Sequence, residues 1–248
     1  CAGDPLLARQ GDLAMVISAF RLQDIASAFD LDADGDPDNK FAALASLTQD
    51  SIATGLANGT LVLPIEIFDR DVDPDACLKL ALYRGSCAVA GCDLTDANPD
   101  TVNLDPASIG PGNAPISRLR AMMTTGPMAL VSQPGFLELP LPVNDTFMLT
   151  LPLTVHRAEG SLVGAGTNAS LAGFRVGGTL QAYRLDLLEA PLIPEIGVGP
   201  GDTQLDMYFA NLFGPLLALP KHPTMTACRT ADIDVDQDGL EGFCDSNP

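Results

Sequence analysis

MALVSQPGFLELPLPVNDTFMLTLPLTVH, residues 128–156, decides the class of the fold. Within it, residues 128–132, 136–141 and 146–156 set apolar side chains at every second position. That period of two belongs to strands with one buried face. Pro134, Pro140, Pro142 and Pro152 interrupt the run. A proline cannot donate to a sheet ladder, so these positions are expected at edges or bulges.

Working outward, residues 61–68 (LVLPIEIF) and 77–84 (CLKLALYR) read as two further strands, with DRDVDPD between them. Residues 13–22 (LAMVISAFRL) are ambiguous between strand and helix, and Val16 and Ile17 tilt the reading towards strand. Residues 170–176 read as another strand. The Gly/Pro/Asn-rich stretch 91–115 reads as a long loop, and the pairs Gly164–Gly166 and Gly177–Gly178 as turns. Helical spacing occurs at Phe41, Leu44, Leu47, Ile52 and Leu56, with Asp38 or Asn39 as cap and Gly59 as stop. Two more helices are expected at 179–190, capped by Thr179, and at 202–219, capped by Asp202, where Leu205, Phe209, Leu212, Phe213 and Leu216 form one face. The expected fold is therefore mainly β, an antiparallel sandwich or distorted barrel with a few packed helices and Asp-rich loops. Residues 1–12 read as an N-terminal tether, 13–228 as the β-rich domain and 229–248 as a C-terminal calcium loop.

Composition narrows the partners. Of 248 residues, 46% are hydrophobic and only 18% charged, so the chain can bury a core. Yet 32 acids stand against 13 bases, a net charge of −19, and many acids fall in short clusters. Such clusters repel unless cations neutralise them, which favours divalent ions. No basic stripe exists to meet phosphates, so a nucleic-acid partner is not expected, nor is electrostatic docking on anionic lipid. No apolar run is long enough to span a bilayer as a helix.

Three acidic clusters carry the ion argument. A calcium ion takes six to eight oxygens at about 2.3–2.6 Å, which a loop supplies from alternate positions around a glycine turn. Asp30, Asp32 and Asp34 occupy positions 1, 3 and 5 of such a loop, Gly35 position 6, Asp36 position 7 and Asp38 position 9. Phe41 stands at position 12, so an acid from elsewhere must complete the shell. At the other end of the chain, Asp234, Asp236 and Asp238 take positions 1, 3 and 5, Gly239 position 6 and Asp245 position 12. Gly242 stands at position 9, where Asp232 or Glu241 can substitute. The cluster Asp69, Asp71, Asp73 and Asp75 alternates too, but lacks glycine and contains Pro74. Without a counter-ion, each cluster holds like charges about 6–7 Å apart along one strand face.

The first loop resembles an EF-hand loop truncated of its bidentate ligand. The last, with DVDQDG followed by Cys244 and Asp245, resembles a thrombospondin type 3 calcium repeat, a pattern also met in linkers of bacterial surface proteins. FDLDADGDPDNKF with its following helix and strand is similar to uncharacterised secreted bacterial lipoproteins. Cys1, followed by Ala2 and Gly3, resembles the lipidated N-terminus of such proteins, which implies export to an outer membrane or cell surface, or secretion. Of the other cysteines, Cys228 and Cys244 flank the last loop and are the best disulfide pair. Cys77, Cys87 and Cys92 can supply one bridge and leave one thiol. No CxxC occurs and only two histidines exist, so zinc, haem and thioredoxin-like chemistry are not expected.

Catalytic patterns are sparse. His156 and His222 have no GxSxG to serve, and His156 reads as the rim of a strand. Glu66, Glu138, Glu159 and Glu195 could pair as glycosidase carboxylates, but a chain with no tryptophan, three tyrosines and ten phenylalanines offers few sugar platforms. The glycosylation triplets at Asn58, Asn144 and Asn168 read as chance matches. A non-enzymatic, calcium-stabilised extracytoplasmic protein is expected, engaging a protein partner or itself. A carrier of apolar ligands is the alternative, motivated by a mean hydropathy of +0.19 despite the charge, and a calcium-dependent hydrolase stands behind it.

Overall fold

The structure is a computed structural model that describes residues 13–22, 27–31, 35, 37, 42–68, 70, 77–89, 101–124, 129–132, 135–142, 148–164 and 169–180. Those residues are mainly β. Eight strands form one antiparallel sheet: β1 (Leu13–Val16), β2 (Pro64–Phe68), β3 (Leu78–Leu82), β6 (Ser117–Met123), β7 (Ala129–Ser132), β8 (Gly135–Pro142), β9 (Met148–Val163) and β10 (Ser170–Leu180). A second pair, β4 (Gly85–Cys87) and β5 (Val102–Leu104), lies between β3 and β6 in the chain.

The order is a meander, β1-β2-β3-β6, then β7 and β8 both between β6 and β9, then β10. β7 and β8 share one position between β6 and β9. Both keep a single register on β9, Ala129 opposite Ser161 and Gly135 opposite Val155, so the two strands line up end to end along it. The sheet thus has seven positions and curls into a half-barrel, as expected for a distorted barrel.

Alternation sets the inner face. Ile65, Ile67, Leu78, Leu80, Leu82, Leu119, Leu137, Leu149, Leu151, Leu153 and Val155 form one buried cluster. The helix α1 (Ala42–Ala57) closes over it. Ala45, Thr48, Gln49, Ile52, Gly55 and Leu56, all buried or half-buried, follow the three-four spacing of one helix face, and Ile52 is fully buried. Gly59 ends the helix at a φ of 72°, and Leu61 turns straight into the core. After β1, the amide of Gln49 accepts from Leu22 N–H at 3.0 Å and donates to Phe20 O at 3.1 Å, tying residues 20–22 to the helix.

On the outer face, the segment around β5 covers β2 and β3. Phe68, Ala81 and Tyr83 are buried against Leu104 and Ile109, and the Tyr83 hydroxyl donates to Glu66 at 2.8 Å. Asp105 caps a 3-10 turn (Pro106–Ser108) and pairs with Arg84 at 3.4 Å.

Several expectations are corrected. Residues 101–115, read as loop, contain β5 and two 3-10 turns (Pro106–Ser108, Pro111–Asn113). β6 was not foreseen. β9 continues beyond His156 to Val163. Thr179, expected to cap a helix, pairs with Thr154 in β10, and Gly177 and Gly178 lie inside that strand instead of in a turn. Among the described residues α1 is the single α-helix; residues 181–190 and 202–219 lie outside them.

Candidate functional site

The long ribbon of β9 and β10 carries the chemistry. Two register shifts shape it: Val155 faces Gly178 and Arg157 faces Gly177, so His156 is an extra residue on β9; Glu159 faces Arg175 and Ser161 faces Ala172, so Gly173 and Phe174 are doubled opposite Gly160. Gly173 has a φ of 58°, which favours glycine at that bulge. Since Val155 and Ala158 both point into the core, the first bulge sends His156 and Arg157 together to the outer face.

That face holds one charged cluster. Arg157 donates to Glu159 Oε2 at 3.1 Å, and Arg175 pairs with Glu159 Oε1. Both guanidinium groups lie over the ring of Phe29, at 4.7 and 4.6 Å from its centroid. Arg175 also donates to Ser27 O at 3.0 Å, joining residues 148 apart in sequence. Phe29 is 7% exposed because it lies where Gly177 has no side chain: a Cβ there would sit 2.5 Å from Phe29 Cδ2 and 3.1 Å from Leu31 Cδ2. His156 Nε2 is 2.8 Å from Thr179 Oγ1.

Electrostatics follow from these contacts. The hydrogen bonds and charges of Arg175 and Arg157 hold the Glu159 carboxyl below the usual 4.5. Burial lowers His156 from 6.5, so its imidazole is neutral at pH 7. Among the described residues no carboxylate meets the other ring nitrogen, so the His156–Thr179 contact is a two-membered bond across the bulge.

The clamp fixes the start of the first acidic loop. Asp30 directly follows Phe29, and its Oδ2 accepts from Gly35 N–H at 3.1 Å while Gly35 has a φ of 100°. The first expected ligand and the expected glycine turn are thereby brought together. Asp32, Asp34, Asp36 and Asp38 lie outside the described residues, as do Asp234, Asp236, Asp238, Asp245, Cys1, Cys228 and Cys244. Among the described residues no three His, Cys, Asp or Glu side chains converge as a metal site. Cys77 and Cys87 are each disulfide-bonded.

Sequence reading did not single out Phe29, Arg157, Arg175 or Gly177 as a group. Arg175 and Gly177 share the RVGG motif at 175–178, whose glycines read as a turn, while Phe29 and Arg157 lie far from it in sequence. Elsewhere, an open depression of about 480 Å³ lies along Val102, Leu104, Pro106, Ile109 and Asn113. Comparison with protein-family models, with curated proteins and with solved structures returns no match.

Proposed function

We propose that the protein is a non-enzymatic, calcium-stabilised extracytoplasmic module, lipoprotein-like and placed at a bacterial outer membrane or cell surface or secreted, that engages a protein partner or a second copy of itself. The observation that carries the calcium reading is the Asp30–Gly35 hydrogen bond with the left-handed Gly35, the backbone arrangement that folds a DxDxDG loop around an ion. The Phe29 clamp supports it, because it gives the loop a rigid foot on the sheet. The oxidised Cys77 and Cys87 fit an oxidising compartment. Asp30, Asp32, Asp34, Asp36 and Asp38 are the proposed ligands of one ion, and Asp234, Asp236, Asp238 and Asp245 of a second. The test is a thermal melt of the full chain in EDTA and in millimolar calcium. A higher midpoint in calcium is expected; an unchanged midpoint sinks the reading.

A further inference from the structure

The foot of the acidic loop does more than anchor it. The segment 27–31 touches the sheet through three described contacts: Ser27 O on Arg175, the Phe29 ring under two guanidinium groups, and Leu31 beside Gly177. All three converge on one ribbon, and Glu159 is the carboxylate that both arginines share. We propose that the segment carrying Phe29 is an acid-released latch on the β9–β10 ribbon, closed while Glu159 is ionised and opened when it is protonated.

The groups that these contacts bring together are Asp30 on the segment, His156, Arg157 and Glu159 on β9, and Arg175 on β10. Asp30 accepts from Gly35 within its own loop. At neutral pH the two guanidinium groups are held side by side because each satisfies one oxygen of Glu159. Protonation removes their common counter-charge and leaves two cations crowded around one ring. In acid His156, next in sequence to Arg157, adds a third positive charge. Repulsion then favours swinging the arginines out to water, which reaches them already: their side chains are 51% and 38% exposed. Phe29 then loses the two guanidinium groups that cover it, and Ser27 O loses its bond to Arg175, which loosens the segment on the ribbon. Arg175 and Arg157 both favour the ionised form of Glu159, so the latch opens only at a pH below the ordinary glutamate value. Asp30 lies in the segment and is also a proposed ion ligand, so hydrogen exchange is read in EDTA, where release of an ion cannot contribute.

Hydrogen exchange of the full chain tests this, read at residues 27–31 against α1 as internal reference. Spectra are taken at neutral pH and about one unit below the ordinary glutamate pKa, with intrinsic rates corrected. In the wild type, protection of the segment relative to α1 is expected to fall on the order of tenfold in acid. Glu159→Gln should show that low protection already at neutral pH. Gly177→Ala should do the same by displacing the ring, and should add no further loss in acid. Wild-type protection that acid leaves unchanged overturns the proposal, as does Glu159→Gln protected like the wild type at neutral pH. If Glu159→Gln loses α1 protection and so fails to fold, the wild-type pH series and Gly177→Ala decide alone. A Gly177→Ala segment that remains protected and pH-dependent also counts against the latch.

Discussion

A single methyl group separates Gly177 from alanine, and there is no room for it. The Cβ would meet Phe29 Cδ2 at 2.5 Å, and Phe29 is itself closed in by Arg157 and Arg175. Gly177→Ala is therefore expected to lower stability by about 1–3 kcal/mol, the usual cost of overpacking, measured as a reduced urea midpoint at unchanged slope. In a Phe29→Ala background the same change should cost far less, because the atom it strikes is gone, and a double-mutant cycle reads that coupling. His156 makes a second prediction at this scale. Its folded pKa lies below the unfolded value, so the unfolded chain takes the proton first and acid favours unfolding. The stability contributed by the neutral ring is present above about 6.5 and falls as the pH drops through the lower folded value. His156→Gln should remove that step from a plot of stability against pH. Glu159 follows the same sign in a separate window that begins below about 4.5, so its step should survive in the variant. None of this was legible from local sequence. RVGG looks like a turn because glycine pairs usually are turns, and only a contact across 148 residues reveals that Gly177 is a seat.

Elements were legible where the local pattern and the tertiary environment agreed. α1 forms where the spacing predicts a helix, with Ile52 and Leu56 of the expected apolar stripe packed inward and Gly59 as its stop. Ile52 is its deepest side chain, 0% exposed within the main cluster. Ile52→Ala is expected to cost about 2–5 kcal/mol, and Ile52→Val about 0.5–1.5 kcal/mol, by thermal or urea unfolding. A much smaller loss for the alanine variant would mean that α1 is not the lid of this core. Three prolines of the opening stretch were also legible: Pro140 and Pro142 lie in β8 beyond its single ladder pair with β6, and Pro152 lies just past the last β9 residue paired to β10. A ladder that is absent on one side loses nothing to a missing N–H. β6 escaped because SRLRAMM has weak strand propensity, with serine, alanine, methionine and two arginines. Its strict alternation of Ser117, Leu119, Ala121 and Met123 inward is imposed by the central place it takes between β3 and the aligned β7 and β8. The end of β9 was misplaced for a related reason. The bulge at His156 breaks the period of two, so the alternation stops in the sequence where the strand merely changes phase.

At the scale of the whole molecule the net charge of −19 and the curled sheet must be reconciled. Self-repulsion on that scale destabilises any compact state, and cations relieve it in two ways that a melt alone confounds. One is screening, which depends on ionic strength and acts on every acid at once. The other is binding at a built loop, which depends on the identity of the ion and saturates. If a single loop site is filled at a hundred times its Kd, it adds about 2.7 kcal/mol to the folded state. For a chain of this length that is a rise in midpoint of roughly 5–10 °C. Screening gives a smaller, gradual rise that sodium chloride of matched ionic strength reproduces. Millimolar calcium is therefore expected to raise the midpoint well beyond its sodium match, and magnesium to lie between them, because its octahedral shell tolerates a wide loop poorly. Asp30→Asn should remove about the share of one ion, since it weakens the first ligand and the acceptor of the Gly35 N–H together. If calcium and sodium coincide at equal ionic strength, the acids form a solvated face and the ion-loop reading fails, while the half-barrel core, built from β2, β3, β6, β8 and β9, stands unaffected.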